Sequence, residues 1–392
     1  MPYAFSLDDV AFLRSAEGRR ALDECYTLGL TESTRVRDVA TARRVVGERY
    51  AAAVIETVVL RRRARAKLDA ADDWLFTGDA LQQASASPVA RHRADRLAGR
   101  DVHDVTCSVG ADLVELARAA RRCVGSDVDA VRVAMARHNC ARAGVEPAVL
   151  RADALRPTSV DTVAVADPAR RDASGKRVWR PGDFVPSLDE LAAVYARGDL
   201  VVKCAPGIDP AVAPWAGEIE LVSWDGQVRE ACLWSRGLAT VTRRATVLRT
   251  GSRMWTITDA EPDDAGVGPV GEWIVDPDGA VVRAGLVRHY AARYGLWQLD
   301  ERIAYLTGDR PPVGIRAFRV LEHGSFHEKS LRAVLKRRGI GRLEILVRGL
   351  SVDPDALRKR LKPKGDGEAT VVLARVGRGA AAYVCRAEVI SR

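Results

Sequence analysis

Long apolar segments are absent from this 392-residue sequence, and aromatic residues are few. No apolar run approaches the roughly 18 residues that a membrane-spanning helix needs, and the opening residues MPYAFS lack the basic and apolar segments of a secretory signal. We therefore expect a cytoplasmic protein without membrane association. Aromatic residues make up only 6% of the chain, but hydrophobic residues reach 47%, which excludes a disordered chain and predicts a globular one.

Cysteine motifs are also lacking. No two cysteines are separated by two residues, and none has a histidine-rich neighbourhood, so the sequence predicts neither a metal site nor a disulfide framework. We expect the thiols to be reduced. The cysteines are Cys25, Cys107, Cys123, Cys140, Cys204, Cys232 and Cys385.

Acidic residues are in deficit toward the C terminus. The whole chain has a net charge of +9, and the segment from Arg316 onward carries 18 Lys and Arg residues against 8 Asp and Glu residues, a net charge of +10. Such an asymmetry suits a polyanion-binding domain attached to a near-neutral body. A solvated basic surface in an arginine-rich protein is the alternative.

Three regions follow one another along the chain. Residues 1–95 predict helices, because apolar residues recur at intervals of three and four. Residues 96–258 alternate short apolar strands with helices of about ten to fifteen residues, which predicts a parallel sheet built from βαβ units. The acidic, Gly- and Pro-containing stretch 259–269 predicts a linker, and residues 270–392 predict a small α+β domain with a helix over Ala280–Tyr294. The expected fold class is α/β, with a helical N-terminal region and a small C-terminal α+β domain.

Acidic residues follow successive strands of the predicted sheet. Asp104 precedes the turn TCSVG, and Asp127 ends the next strand 23 residues later, where its carboxylate can accept hydrogen bonds from both ribose hydroxyls of a nucleoside. The turn has a single glycine, Gly110, whereas a dinucleotide pyrophosphate needs several, so NAD is not expected. S-adenosylmethionine has no pyrophosphate and fits, with polar contacts from Asp104, Ser108 and Asp127 and with Asp153 beside the adenine amino group. Each acid alone could be a turn residue or a helix cap, but together they indicate a cofactor site.

At this turn the sequence resembles the class I S-adenosylmethionine-dependent methyltransferases, and more narrowly bacterial members with a C-terminal THUMP-like domain. The trimethylguanosine synthase motif D-x-F-C-G-x-G-G-N is similar to DVTCSVGAD, which begins at Asp104 and includes Cys107. Ser108, Ala111 and Asp112 depart from that motif, so the cap substrate is not implied. The resemblance implies a Rossmann-like sheet and S-adenosylmethionine as the cofactor. It also implies that the turn, including Cys107 and Gly110, contacts this cofactor.

An upstream segment extends the resemblance. The residues LQQASASP, 81–88, are similar to the segment that packs over the methionine end of the cofactor in these relatives. This similarity implies cofactor contacts from Gln83, Ser87 and Arg91. Ser87 could instead cap a helix that begins at Pro88.

The fourth predicted strand ends at Asp167, Pro168, Ala169 and Arg170, where methyltransferases keep the motif that presents the acceptor atom. Amino-directed enzymes have D-P-P-Y or N-P-P-Y there, and the loss of the aromatic ring weakens an adenine-N6 assignment. We expect Asp167, Pro168 and Arg170 to be catalytic, with Trp179 supplying stacking from the loop. The other loop cations are expected to contact substrate phosphates, unless they form a solvated surface: Arg171, Lys176, Arg177 and Arg180.

A second chemistry stays open. The residues DPAR also resemble the D-P-P-R of uracil-C5 methyltransferases, and VVKCAP, 201–206, is similar to their S-C-N-P strand. Cys204 would then add to C6 of a pyrimidine, with Lys203 as a cationic neighbour. Alternation along a strand points Lys203 and Cys204 to opposite faces, however, and a buried, inert cysteine is the alternative.

These observations predict an S-adenosylmethionine-dependent methyltransferase that acts on RNA, at a base of tRNA or rRNA, without a metal. THUMP domains bind RNA, so the resemblance implies RNA contacts in the basic C-terminal region, with Arg358, Lys359 and Arg360 as the candidates. The competing hypothesis is a protein that binds RNA on a degenerate methyltransferase fold without transferring methyl groups.

Overall fold

The computed structural model describes residues 3–169, 184–251 and 254–390. These residues form two compact units. The first unit runs to Trp224 and includes Arg229–Thr240, and the second comprises Asp225–Val228 and the chain from Val241 onward. The boundaries 1–95, 96–258 and 270–392 remain predictions.

The first unit begins with helices, as the sequence predicts. Ser6 starts the first helix with a capping box, in which its side chain accepts from the Asp9 N–H and the Asp9 side chain accepts from the Ser6 N–H. Gly47, with a φ of +76°, interrupts the third helix. The helices are α1 (Leu7–Arg14), α2 (Ala16–Cys25), α3 (Arg35–Ala64), α4 (Gly78–Gln83) and α5 (Ser87–Arg96).

A doubly wound sheet follows these helices. Its strands are β1 (Asp101–Asp104), β2 (Arg122–Asp127), β3 (Ala148–Arg151), β4 (Val163–Ala166), β5 (Leu200–Cys204), β6 (Ala216–Trp224) and β7 (Gln227–Ser235). Within the first unit they follow the order β3-β2-β1-β4-β5-β7-β6, and β7 runs antiparallel to β5. The winding direction reverses between β1 and β4, which are parallel neighbours, and open α/β sheets bind ligands at the carboxyl ends of strands at such a point.

The crossover helices are α6 (Ala111–Ala119), α7 (Ala130–Arg142) and α8 (Leu188–Val194). Asp129 starts α7 because its side chain accepts from the N–H groups of two residues in the first turn. Leu113 of α6 and Met135 of α7 share one apolar core with Val54 and Val58 of α3. The N-terminal helices are therefore built into the same unit as the sheet.

The second unit is α+β, in agreement with the expectation for residues 270–392. Its strands are β8 (Arg243–Leu248), β9 (Trp255–Thr258), β10 (Trp273–Val275), β11 (Trp297–Gln298), β12 (Leu306–Gly308), β13 (Arg316–Ser325), β14 (Ile340–Arg348), β15 (Gly367–Val376) and β16 (Gly379–Val389). The last seven form one sheet in the order β11-β12-β10-β13-β16-β15-β14, and β8 pairs with β9.

The helices of this unit are α9 (Gly279–Arg283), α10 (Val287–Tyr294), α11 (Glu328–Arg337) and α12 (Pro354–Leu361). The expectation of one helix over Ala280–Tyr294 is wrong, because Gly285 takes a φ of +69° and separates α9 from α10. Leu331 of α11 and Leu357 of α12 pack with Val371 of β15 in an apolar core. Among the described residues, no helix is long and apolar enough to cross a membrane.

Candidate active site

A cavity of about 520 Å³ lies at the carboxyl ends of β1, β2 and β4, at the point where the winding reverses. Its walls combine carboxylates with apolar side chains such as Val128, Leu155 and Phe184. The sequence-predicted residues that line it are Gln83, Asp104, Cys107, Ser108, Asp127, Asp153 and Asp167.

The turn between β1 and α6 is tied to the end of β2. The Ser108 N–H donates to Oδ2 of Asp127 at 3.0 Å, and the Asp129 N–H donates to its Oδ1 at 2.9 Å. Ser108 and Gly110 have positive φ values of 50° and 88°, so the turn uses left-handed backbone at both positions. Burial raises the pKa of Asp127. The tip of β2 thus presents a carboxylate whose orientation is fixed by backbone donors.

Asp104 has no cation in contact with it among the described residues. Its carboxyl is buried, and the Thr106 N–H donates to Oδ1 at 3.3 Å. Burial, followed by the nearby charge of Asp112, raises the pKa of Asp104 well above its usual range. A positively charged ligand group at this position would compensate the carboxylate.

These walls fit S-adenosylmethionine. The cofactor carries an ammonium group, which suits Asp104, and ribose hydroxyls, which suit Asp127. Asp153 also faces the cavity, and its Oδ1 accepts from the Leu155 N–H at 2.9 Å. Burial raises the pKa of the Cys107 thiol well above its usual range, so Cys107 remains a neutral wall residue.

Buried charges form a network at the inner end of the cavity. The Arg93 guanidinium contacts the carboxylates of Asp112 and Glu230, and the Lys203 ammonium contacts Asp167. Lys203 Nζ also lies 3.6 Å from Oδ2 of Asp112. Charges held in this way keep fixed positions, because a buried ion without its partner is strongly unfavourable.

The pKa values of this network follow from its contacts. Burial alone would raise the pKa of Asp112, but Arg93 and Lys203 outweigh it and lower the pKa to about 2. Burial alone would lower the pKa of Lys203, but Asp167 and Asp112 outweigh it and raise the pKa. Asp112 is therefore a carboxylate and Lys203 an ammonium ion at neutral pH.

The end of β4 is joined to the turn after β1, since the Asp167 N–H donates to Oγ1 of Thr106 at 2.6 Å. Pro168 lines a neighbouring cavity, described below. The remaining predicted loop residues lie outside the described part of the chain: Arg170, Arg171, Lys176, Arg177, Trp179 and Arg180.

Three residues expected at the cofactor do not line the cavity. Ser87 is buried, and its Oγ accepts from the Asp69 N–H at 2.9 Å, so its hydroxyl holds a loop in place. Gly110 instead supplies the left-handed residue before α6. Arg91 pairs with Asp69 at 2.8 Å on the surface.

The uracil-C5 hypothesis does not fit the position of Cys204. Lys203 lines the cavity, whereas Cys204 is 1% exposed and lines neither of the two cavities at the site. The two side chains point to opposite faces of β5, as alternation predicts. Cys204 is therefore a core residue and not a nucleophile open to substrate.

A second cavity, of about 330 Å³, meets the first at Asp167 and Lys203. The sequence does not predict this cavity, because its walls come from distant parts of the chain. Its other walls include Lys67, Gln82, Gln83, Ala84, Ser85, Ala86, Pro168, Trp224, Arg229 and Glu230.

The predicted RNA-binding cations lie on α12 of the second unit. Arg358 pairs with Asp355 at 2.5 Å, and Arg360 pairs with Glu328 at 2.8 Å. Lys359 is exposed. The cluster is therefore a solvent-facing surface in which two of the three cations have carboxylate partners.

Two family models match the chain. Residues 315–387 match a family described as THUMP domain-like, and residues 6–64 match a domain of unknown function, DUF8688. The first match contains α11, α12 and most of the C-terminal sheet.

Relatives and solved structures resemble the chain over most of its length. Proteins from two strains of Mycobacterium tuberculosis, both named uncharacterized S-adenosylmethionine-dependent methyltransferase, are 55% identical over 348 residues, 85% of this chain and 96% of theirs. The crystal structure of a putative methyltransferase from Porphyromonas gingivalis W83 superposes with a TM-score of 0.72 at 19% identity, covering 98% of this chain and 99% of that one.

Proposed function

The chain belongs to the S-adenosylmethionine-dependent methyltransferases, and from that premise we propose that it methylates a base of RNA, in tRNA or rRNA. Its cofactor is S-adenosylmethionine. When bound, the cofactor supplies an electrophilic methyl group. The chain's own residues must hold the cofactor, exclude water and orient the acceptor atom.

Four residues hold the cofactor in this proposal. Asp127 accepts the ribose hydroxyls, supported by its fixed orientation at the tip of β2. Asp104 faces the ammonium group, supported by its buried carboxyl, whose pKa burial raises and which no cation of the described residues contacts directly. Asp153 takes the adenine amino group, and Gln83 lies at the methionine end, since it lines both cavities.

Asp167 and Pro168 orient the acceptor. Their position supports this role, because Asp167 lines both cavities and Pro168 lines the second. The Asp167 carboxylate can accept a hydrogen bond from the acceptor group while Lys203 keeps it in place. Lys203 acts in this scheme as a positioning residue.

The observation that carries the RNA assignment is the THUMP domain-like match over residues 315–387, in a stretch with a net charge of +10. Nucleic-acid affinity depends chiefly on cations that neutralise phosphates. The cations of α12, Arg358, Lys359 and Arg360, are the proposed contacts in this region.

Methyl transfer from tritiated S-adenosylmethionine tests the proposal. The purified protein is incubated with total cellular RNA and then with separated tRNA and rRNA fractions, and with a protein fraction for comparison. We expect label in one RNA fraction with the wild type and a large loss with Asp127→Ala. Label in the protein fraction alone, or in no fraction while S-adenosylmethionine still binds by calorimetry, would contradict the RNA assignment.

A further inference from the structure

The second cavity is more cationic than its neighbour. Of its carboxylates, Asp167 contacts Lys203 and Glu230 contacts Arg93. Lys67 and Arg229 also line the walls. Apart from these two ion pairs, the charged side chains among the described lining residues are Lys67 and Arg229, both positive, as expected for a site that binds an anion.

Lys67 occupies a fixed position on this wall. Its Nζ donates to the carbonyl oxygens of Gln82 and Ala84 at 3.2 and 2.8 Å, which leaves one of its three donors. Burial, together with the nearby charge of Lys203, lowers the pKa of Lys67 to about 8. An anionic oxygen in the cavity would raise this pKa and stabilise the charged form of Lys67.

Trp224 supplies an aromatic surface beside these cations. Its Nε1 is buried and has no hydrogen-bond partner in the described part of the chain. The Arg229 guanidinium lies 5.0 Å from the centroid of the indole. An indole with a guanidinium over its ring forms a cationic aromatic surface of the kind on which unstacked nucleobases bind.

We propose that the second cavity holds the acceptor nucleotide of the RNA, unstacked from its neighbours. In this arrangement Trp224 stacks on the acceptor base, and Lys67 and Arg229 contact the RNA phosphates beside that nucleotide. The acceptor atom then faces Asp167, which both cavities share. The inference rests on the proposed function and adds the position and contacts of the acceptor base.

The size and chemistry of the cavity favour a nucleotide over a peptide. Its volume of about 330 Å³ lies in the range of small-molecule sites, roughly 300–1,000 Å³. A basic peptide side chain would need free carboxylates, and the two in the walls are paired with Lys203 and Arg93. A planar, anionic acceptor matches the remaining groups.

Steady-state transfer from tritiated S-adenosylmethionine to total cellular RNA tests this placement in the full-length protein. Trp224→Ala should weaken the apparent RNA affinity roughly 5- to 150-fold, the range for loss of one base–aromatic stack. Trp224→Phe should restore most of it. The affinity for S-adenosylmethionine, measured by calorimetry, should stay within about twofold because Trp224 does not line the cofactor cavity.

Arg229→Ala tests the phosphate contact without a risk to folding, since Arg229 is exposed. Anisotropy of a labelled random-sequence 12-nucleotide RNA should show a salt slope smaller by about 0.7, the value for one single-strand phosphate. Arg236→Ala is the matched control: Arg236 is also exposed, just beyond the other end of β7, and should leave the slope unchanged.

The outcomes separate this inference from the proposed function. No transfer to any RNA by the wild type contradicts the proposed function. Transfer by the wild type that Trp224→Ala and Arg229→Ala leave unchanged overturns the acceptor site alone. If Trp224→Ala does not fold, Arg229→Ala still decides, because an unchanged salt slope with this variant excludes the phosphate contact.

Discussion

Charged side chains are buried around the cofactor cavity of the first unit and exposed on α12 of the second, although both regions hold them in ion pairs. The side chains of Arg93 and Lys203 are 3% and 5% exposed. In the pair of Arg360 with Glu328, the exposed fractions are 51% and 38%. The chain therefore contains ion pairs of two kinds, buried near the cavity and solvent-exposed on α12.

The difference in burial decides whether a cation only orients its carboxylate or can also bind a ligand. Removing one partner of a buried pair leaves an uncompensated charge and costs about 3–5 kcal/mol, whereas an exposed pair contributes about 0–1 kcal/mol. The buried cations near the cavity cannot leave their carboxylates for a ligand and serve to orient them. The cations of α12 can exchange a carboxylate for a phosphate at little cost.

Lys203→Met should give the largest effect, because it leaves the carboxylates of Asp167 and Asp112 without this cation. We expect the free energy of unfolding to fall by about 3–5 kcal/mol in urea titrations. The control Arg122→Met removes an exposed cation at the start of β2 and should change it by less than about 0.5 kcal/mol.

A second substitution identifies the cause of that loss. In the double variant Lys203→Met, Asp167→Asn, one of the two carboxylates that lose their contact with Lys203 is neutral, so part of the lost stability should return. If the double variant is no more stable than Lys203→Met, lost packing of the lysine stem explains the effect and the comparison of buried with exposed charge fails at this site.

Asp127→Asn should have the next largest effect, on cofactor affinity. An amide oxygen can still accept from the Ser108 N–H, but one charged acceptor for the ribose is lost, which costs about 1.5–3 kcal/mol, or roughly 10- to 150-fold in affinity. Calorimetry with S-adenosylmethionine measures it. Asp129→Asn is the matched control, since Asn caps α7 as well as Asp does, and equal affinities for the two variants would refute the ribose contact.

Asp112 gives a pH dependence of stability. Its folded-state pKa of about 2 lies below the unfolded value of 3.8, so its contribution is present above pH 4 and is lost as the pH falls toward 2. The stability of the wild type relative to Asp112→Asn should therefore decrease by about 2 kcal/mol between pH 5 and pH 2. Unfolding titrations of both proteins at each pH measure the difference.

Asp104 should show the opposite sign, because its folded-state pKa is raised. The folded protein keeps a proton on Asp104 that the unfolded chain releases, so stability is lost as the pH rises above about 4. The wild type should lose stability relative to Asp104→Asn over that range. If stability changed with pH in the same direction for Asp104 as for Asp112, contact with a cation would not be what sets the pKa values of these two carboxyls.

The sequence predicted the acids at the cavity because one local rule places them there. Asp104 and Asp127 end β1 and β2, Asp153 follows β3, and parallel strands bring their carboxyl ends to one edge of a sheet. A second local rule, the alternation of side chains along a strand, predicted that Lys203 and Cys204 point to opposite faces. Among the described cofactor candidates, Ser87 and Arg91, taken from the family resemblance, and Gly110, taken from the turn, fell outside the cavity.

The charge network and the second cavity could not be predicted in this way. Arg93 and Glu230 are 137 residues apart, and their contact depends on how α5 packs against the sheet. Trp224 and Arg229 line one cavity with Lys67 through tertiary packing alone. A helical or strand period specifies which face a residue occupies, but not which distant element covers that face.

The smallest expected effect on stability comes from the exposed cluster on α12. Replacing its three cations together with Lys362, which follows the helix, should lower the free energy of unfolding by only about 0–1 kcal/mol for each of the two pairs lost, because the pairs of Arg358 and Arg360 are solvent-exposed. RNA affinity should respond instead. Each cation that neutralises a single-strand phosphate adds about 0.7 to the slope of log affinity against log salt. The substitutions are Arg358→Ala, Lys359→Ala, Arg360→Ala and Lys362→Ala.

A matched variant makes this prediction decisive, because any loss of four positive charges lowers long-range attraction to RNA. The control replaces four other exposed arginines of the same unit, and the two variants then have equal net charge. If α12 contacts phosphates, its variant should have the flatter salt slope, with cofactor affinity unchanged in both. Equal slopes would mean that the α12 cations are an ordinary solvated surface. The control substitutions are Arg283→Ala, Arg288→Ala, Arg302→Ala and Arg310→Ala.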